Sequence, residues 1–376
     1  MKICIISDDY PPLLGGISTH VYWLSKYLSE DDRIEKVSVI TFNSEIQGEE
    51  MINEKLDVLR LQRKKRISTL LSTLKELFLR RDYDVFHATT LYPSIPIAFF
   101  KIFMNKKSFV TIYGLDALSK TKSRPLFKYA LNKADKVIAF SESTKREVAR
   151  AYNLDEERFK TIYTGIFAPE LDKQEVEELR NKYNIRQDDF VILFVGRLDE
   201  RKGVDDLMYA VSGMKEEKVK FLIVGDGQER EKLMKLRKNL NLERKVIFVG
   251  SISYDNVFVF YGLADVFCMP SKYIKEKGNI EGLGIVFLEA QSYGVPCIGT
   301  NSGGIREAIE DGKSGFIVPE SNPEAIKEKI LKLMNDKELY ERMSKYAPEF
   351  VRKKFSWRRC VDEHIKLYIG IEDEKG

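Results

Sequence analysis

At 376 residues the chain is too long for one ordinary α/β core and suits two domains of about 100 to 200 residues each. Hydrophobic residues at 43% and charged residues at 32% describe a globular protein rather than a disordered one, and no apolar run reaches the ~20 residues that span a bilayer. The net charge of +4 divides unevenly: residues 1 to 165 hold 27 Lys+Arg against 21 Asp+Glu, or +6, which leaves −2 for the remainder.

Short apolar runs alternate with helix-length amphipathic segments from end to end, the pattern of parallel sheets with crossover helices. In the first half, strands are predicted at Lys2 to Ser7, Val37 to Phe42, Val85 to Ala88, Phe109 to Ile112, Lys136 to Phe140 and Phe159 to Tyr163. The first strand runs into a loop, Asp8 to Ser18, whose Gly15 and Gly16 stand at a helix entrance, where free N–H groups suit an anion. The alternative is a tight strand-to-helix turn without a ligand.

Arg60, Arg63, Lys64, Lys65 and Arg66 precede an amphipathic stretch containing Ile67, Leu71, Leu74 and Phe78. This is a candidate surface for anionic lipid; the competing reading turns Leu71, Leu74 and Phe78 into the core and leaves the cations as a solvated rim. Nucleic acid is not expected, because aromatic residues do not interleave with these cations.

Residues 170 to 187 are polar and charged, and bridge two halves. A second strand series follows at Phe190 to Val195, Lys220 to Val224, Val246 to Val249, Val266 to Met269, Pro296 to Gly299 and Gly315 to Val318. The chain therefore reads as two doubly wound domains, 1–169 and 170–356, with a last segment, 357–376, whose helix can cross back to the first. Ligands on such sheets bind beyond the carboxyl ends of the strands.

Two loops of the second half carry chemistry, and two more support them. Gly196-Arg197-Leu198-Asp199-Glu200-Arg201-Lys202-Gly203 delivers Arg197 and Lys202 after a strand, and two such cations can embrace a diphosphate and stabilise it as a leaving group. Glu281-Gly282-Leu283-Gly284-Ile285 sets a carboxylate before a Gly-rich turn, and Glu289 lies in the apolar helix that follows, where a buried carboxylate needs a partner. The alternative is a helix cap for Glu281 and a solvated Glu289. Val224-Gly225-Asp226-Gly227 and Thr300-Asn301-Ser302-Gly303-Gly304 end further strands where a ligand belongs. Cys4, Cys268, Cys297 and Cys360 are too far apart for metal or paired-disulfide spacing and read as reduced core thiols. With no export signal at the N-terminus, a cytoplasmic location is expected, at or near the inner face of the membrane if the basic stretch binds lipid.

These loops, in this order, resemble the family 4 retaining glycosyltransferases of the GT-B fold over nearly the whole chain. Glu281 and Glu289 with seven residues between them, Gly196-Arg197 with Lys202-Gly203, and Pro11-Pro12 with Gly15-Gly16 are the main carriers, and Glu281 to Pro296 looks especially like the phosphatidylinositol mannosyltransferase branch. The resemblance implies two Rossmann-like doubly wound domains facing each other across a cleft, an acceptor domain first and a sugar-nucleotide domain second. It implies transfer of a hexose from a GDP- or UDP-linked donor, with GDP-mannose the leading expectation, to a lipid-linked or glycan acceptor, without metal ion or cofactor.

On this resemblance Arg197 and Lys202 hold the diphosphate, Glu281 the transferred sugar, and Glu289 the ribose. Backbone of Leu283, Gly284 and Ile285 lines the phosphates and sugar, and Gly15 and Gly16 approach the donor. The sequence departs from the family where a Thr-x-His-Gly run becomes Thr111-Ile112-Tyr113-Gly114-Leu115-Asp116. Tyr113 takes the place of His, and a phenol with a pKa near 10 is a poor proton shuttle at neutral pH. Tyr113, Asp116 and His87 are candidate sugar or acceptor contacts, while a hydrogen-bonded structural imidazole is an equal reading of His87. A sugar-nucleotide epimerase of the same architecture and a non-catalytic sugar-nucleotide sensor remain open alternatives.

Overall fold

β-Branched and aromatic residues buried on both faces make the strand-length runs into central strands of two parallel sheets. A computed structural model describes residues 1–13, 15–43, 46–62, 66–118, 123–274 and 281–371. The chain divides into two units, one formed by Met1–Gly165 with the segment that begins at Trp357, the other by Ile166–Ser356.

The first unit contains strands β1 (Lys2–Ser7), β2 (Lys36–Asn43), β3 (Gly48–Asn53), β4 (Leu56–Gln62), β5 (Val85–Ala88), β6 (Lys107–Ile112), β7 (Lys136–Ala139) and β8 (Phe159–Thr161). They form one sheet in the order β3-β4-β2-β1-β5-β6-β7-β8, parallel except where β3 pairs antiparallel with β4. Strands β3 and β4 were not anticipated from the sequence. Glu49, Glu50, Asp57 and Arg60 break the apolar pattern, and β3 is an exposed edge strand apart from Ile52.

Alternation along β1 sends Ile3 and Ile5 to one face of this sheet and Cys4 and Ile6 to the other, each packed in its own core cluster. The Ile3 face is covered by the helix Gly16–Glu30 and by the C-terminal helix Trp357–Ile369. The latter buries Trp357, Cys360, Val361, Ile365 and Tyr368, a helical period, onto Phe109 and its neighbours. Gly165 makes this docking possible, because a Cβ there would overlap the Trp357 indole.

The second unit contains β9 (Phe190–Val195), β10 (Val219–Val224), β11 (Val246–Gly250), β12 (Val266–Met269), β13 (Cys297–Thr300) and β14 (Gly315–Val318). All pairs are parallel, in the order β11-β10-β9-β12-β13-β14. From β9 the chain winds outward through β10 to β11, then returns to lay β12 on the other side of β9. The order reverses between β9 and β12, and it reverses between β1 and β5 in the first unit. Loops that leave the carboxyl ends of strands at such a switch point splay apart and leave a crevice. The polar stretch after residue 170 forms the helix Lys173–Lys182, capped by the Asp172 carboxylate on the Gln174 N–H at 2.8 Å.

All four cysteines are buried and unpaired, and no helix among the described residues is long and apolar enough to cross a membrane.

Candidate functional site

The switch point of the second unit gathers the charged residues of the site. The loop leaving β9 carries Arg201 and Lys202, and the segment following β12 carries Glu281. The Glu281 carboxylate accepts from Lys202 Nζ at 2.8 Å, from the Arg201 guanidinium in a short ion pair, and from Ser271 Oγ at 3.4 Å. Burial alone would push this carboxyl up; Lys202 and Arg201 more than reverse that and bring it down to about 2. Glu281 is thus ionised throughout the physiological range and is no helix cap. Lys202 is itself buried and also touches Met269 Sδ at 3.4 Å.

The surrounding loops are stitched backbone to backbone. Gly303 and Gly304 stand so close to the Glu281-Gly282 backbone that a Cβ on either would strike a carbonyl, and the Gly304 N–H donates to Glu281 O at 3.0 Å. The β9 and β10 loops join where Leu198 N–H donates to Asp226 O at 2.9 Å, and Gly225 N–H donates to Gly250 O at 2.8 Å. Lys272 bridges Asp205 and Asp206 at 2.9 and 3.0 Å, and its N–H donates to Arg201 O at 2.7 Å. These bonds fix the position of Arg201 and Lys202.

Gly284 adopts φ 78°, a left-handed conformation suited to glycine, and caps the helix Ile285–Ser292 without any side-chain acceptor. The first N–H groups of that helix are therefore not capped by a side chain, next to a pair of cations, and Leu283, Gly284 and Ile285 line that turn. One turn further along, Glu289 is only 4% exposed. It accepts from Tyr254 OH at 3.2 Å and from Tyr261 OH at 2.8 Å. No described Lys or Arg pairs with it, and burial raises its pKa while the two phenols oppose that rise. The partner that a buried carboxylate demands is thus a pair of tyrosines seven residues apart on the helix Tyr254–Leu263.

The sequence pairs Lys202 with Arg197 as the diphosphate clamp; Arg197 is exposed two residues beyond β9. Arg201, one residue before Lys202, is the second cation on Glu281. Arg201 and the two tyrosines were missed. For Arg201 the only signal was adjacency to Lys202. For the tyrosines it was two phenols on one face of a helix that precedes β12.

In the first unit, Gly15 and Gly16 are exposed, and Gly15 caps the helix Gly16–Glu30 with no side-chain acceptor, at the switch point beside β1. Thr90 Oγ1 donates to Asp8 Oδ2 at 2.8 Å and ties the loops after β1 and β5 together. Tyr113 follows β6, with its ring 5.5 Å from His20 and 4.7 Å from Phe140. The side chain of Asp116 lies outside the described residues, as do residues 279 and 280 before Glu281.

His87 takes the part of the structural imidazole, the other reading of it. It is wholly buried in β5, where alternation with Val85 points it at the face covered by the C-terminal helix. Its Nε2 lies 2.7 Å from Thr111 Oγ1 and its Nδ1 lies 2.7 Å from Tyr368 OH. His20 and His364, the only other histidines, are also buried in this core. His20 Nδ1 is 3.0 Å from Thr164 Oγ1, and His364 Nδ1 is 2.8 Å from Cys360 O. Burial holds all three imidazoles below their usual pKa, His364 at about 4.

The basic stretch before residue 67 is only partly described: Arg63, Lys64, Lys65 and the side chain of Arg66 lie outside. Arg60 belongs to β4, is buried and pairs with Glu50, so it is no part of a basic surface. The helix Arg66–Leu79 buries Leu77 and half-buries Leu74, but leaves Ile67 74% and Leu71 60% exposed. Phe78 is also exposed, and beside it Phe103, at the end of the helix Leu91–Phe103, is 73% exposed. Leu71 therefore does not turn into the core, while Phe78 lies at its margin, edge-on to the core residue Phe100.

Two family models match the chain: "Glycosyltransferase Family 4" over residues 14–167 and "Glycosyl transferases group 1" over residues 175–350. An uncharacterized glycosyltransferase of Methanocaldococcus jannaschii is 30% identical over 99% of both chains. A GDP-mannose-dependent α-(1-6)-phosphatidylinositol monomannoside mannosyltransferase of Mycobacterium tuberculosis is 33% identical over 48% of this chain and 47% of its own. Among solved structures, Anabaena Alr3699/HepE in complex with UDP superposes with a TM-score of 0.81 at 20% identity, covering 98% of this chain and 100% of that one. The full-length relative, the two matched models and the pair of Rossmann-like sheets together place the chain in the family 4 glycosyltransferases, with the GT-B fold.

Proposed function

We propose that the protein is a retaining, metal-independent hexosyltransferase that takes its sugar from a nucleoside diphosphate donor and passes it to a hydroxyl of a lipid-linked or glycan acceptor. The observation that carries this reading is Glu281, an ionised carboxylate fixed by two cations at the switch point of the second unit, beside a helix entrance without a side-chain cap. A carboxylate so placed accepts hydrogen bonds from sugar hydroxyls, and Lys202 and Arg201, with Arg197 nearby in sequence, receive the diphosphate. The N–H groups of Leu283, Gly284 and Ile285 serve the same anion. Glu289, in a neutral pocket of phenols, receives the ribose hydroxyls.

In the transfer itself the acceptor oxygen bonds to the anomeric carbon as the bond from that carbon to the diphosphate oxygen breaks. The acceptor proton passes to a diphosphate oxygen on the same face, which conserves the anomeric configuration. The cations stabilise charge on the leaving group, the work a metal ion does in other transferases. None of the three histidines is placed to act as the proton shuttle, which is consistent with a donor phosphate taking that part.

Mannose from GDP-mannose is the favoured donor, supported by the similarity to the mycobacterial mannosyltransferase; the UDP-bound Anabaena structure makes the uridine donors the set to test beside it. Incubation of the purified protein with GDP- and UDP-hexoses and a membrane extract tests the reading. A glycosylated lipid or glycan and free nucleoside diphosphate are expected. An altered donor sugar without transfer would make it an epimerase, and binding without turnover a sensor.

A lipid-linked acceptor and a cytoplasmic location at the membrane face are favoured by the exposed Ile67, Leu71, Phe78 and Phe103. Exposed apolar side chains that follow a basic run in the sequence, Arg63 to Arg66, suit an anionic interface. Flotation with anionic vesicles should retain the protein and neutral vesicles should retain less; absence from both would remove the membrane from the account.

A further inference from the structure

The two oxygens of Glu289 are held unequally, and the difference singles out one tyrosine. Tyr261 is wholly buried and reaches Oε2 at 2.8 Å, with its ring stacked near Tyr293. It is part of the core, and its bond to Glu289 is a fixed strut. Tyr254 is only partly buried and reaches Oε1 at the longer distance of 3.2 Å. It is the first residue of its helix, just after the loop that leaves the carboxyl end of β11, and its ring leans edge-on against Phe258.

An ionised carboxylate offers about four acceptor positions, of which the two phenols use two. The remaining capacity is what a ribose diol can take up. A carboxylate buried with no cation stays ionised and aimed only if neutral donors hold it, so each phenol bears directly on how well the diol is received.

We infer that Tyr254 is a positioning residue for ribose recognition: its hydroxyl fixes Glu289 Oε1 so that the carboxylate can accept the 2′- and 3′-hydroxyls of the donor nucleotide. This rests on the assignment of Glu289 to the ribose. The hydroxyl of Tyr254 is not required for the fold, since its ring contacts Phe258 and Tyr261 already anchors Glu289. It is required for discrimination, because the strut at Oε2 leaves Oε1 less constrained, and the Tyr254 hydroxyl is what aims that oxygen.

The test is calorimetric titration of UDP and GDP, and of their 2′,3′-dideoxy analogues, into the wild type, Tyr254→Phe and Glu289→Gln. Thermal unfolding confirms that each variant is folded. The wild type should prefer the ribonucleotide. Tyr254→Phe should weaken the ribonucleotide about 3- to 10-fold, the effect of one neutral hydrogen bond, and leave the dideoxy analogue unchanged, so that the preference shrinks. A merely structural role would weaken both nucleotides equally, and that result overturns the inference. An unchanged preference in Tyr254→Phe, with the preference lost in Glu289→Gln, overturns it too while sparing Glu289 as the ribose ligand. A preference intact in Glu289→Gln removes that assignment and the inference with it.

Discussion

The two units share one architecture and use their buried polar groups in opposite ways. In the first, the switch-point strand β5 carries His87, and this imidazole is spent on Thr111 and on Tyr368 of the C-terminal helix. In the second, the switch point holds Glu281 between Lys202 and Arg201. An imidazole with both nitrogens committed to internal partners has nothing left for a ligand and is structure. Charged residues held at the mouth of a crevice by rigid loops are the ones available to a ligand.

Acidification should separate the two units most strongly. An unfolded histidine takes up a proton below about pH 6.5, whereas His20, His87 and His364 in the folded first unit resist doing so until lower pH, His364 until about 4. The unfolded state then binds more protons, so stability is full above about 6.5 and is lost as pH falls through that window. Each histidine contributes about 1.4 kcal/mol per pH unit, so the three together give a steep loss. Both tryptophans, Trp23 and Trp357, lie in the first unit, and their fluorescence reports it alone. A denaturant midpoint by tryptophan fluorescence that stays constant between pH 7.5 and 5 would sink this account of the histidines. The Glu281 carboxyl, held at about 2, keeps its charge through the same range.

Next in size is the docking of the C-terminal helix. Trp357 stacks on Tyr27 at 5.5 Å and lies against Gly165. Trp357→Ala should cost about 3 to 5 kcal/mol of first-unit stability, as large aromatic truncations do, and should leave nucleoside diphosphate affinity intact. A loss of affinity without a loss of stability would contradict the division of labour between the units.

A smaller effect is expected from Lys202→Ala, which should weaken nucleoside diphosphate binding by about 1.5 to 3 kcal/mol, the range for a charged hydrogen bond. Arg201→Ala should do the same, and more than Arg197→Ala if fixed position matters more than proximity in sequence. Equal affinities by calorimetry would remove these cations from the phosphate site.

Much of this was legible in the sequence. Strands such as β9 and β12 announce themselves because burial on both faces leaves an unbroken apolar run, Phe190 to Val195 and Val266 to Met269. Glycines at 303 and 304 signal a close backbone approach, and Glu281 and Glu289 stand out because a carboxylate beside a Gly-rich turn or in an apolar helix is costly without a purpose. The strands β3 and β4 were hidden: β3 is an exposed edge where Glu49 and Glu50 interrupt the pattern, and in β4 the buried Asp57, held by Ser38 and Lys36, interrupts it too. Pairings across the fold were hidden for a different reason: nothing local ties Arg201 to a carboxylate 80 residues away, or His87 to Tyr368 281 residues away. The sequence reading left His87 open between acceptor contact and structural imidazole, because only the tertiary fold shows that the C-terminal helix covers that face of β5.

The central claim is that Glu281 recognises the sugar while the cations beside it recognise the diphosphate. It is tested most directly by titrating a nucleoside diphosphate and the matching nucleoside diphosphate hexose into the wild type and Glu281→Gln. The account predicts that the variant keeps its affinity for the nucleoside diphosphate and loses the additional affinity conferred by the hexose, together with transfer. A variant that distinguishes the two ligands as well as the wild type does, and still transfers, would contradict it.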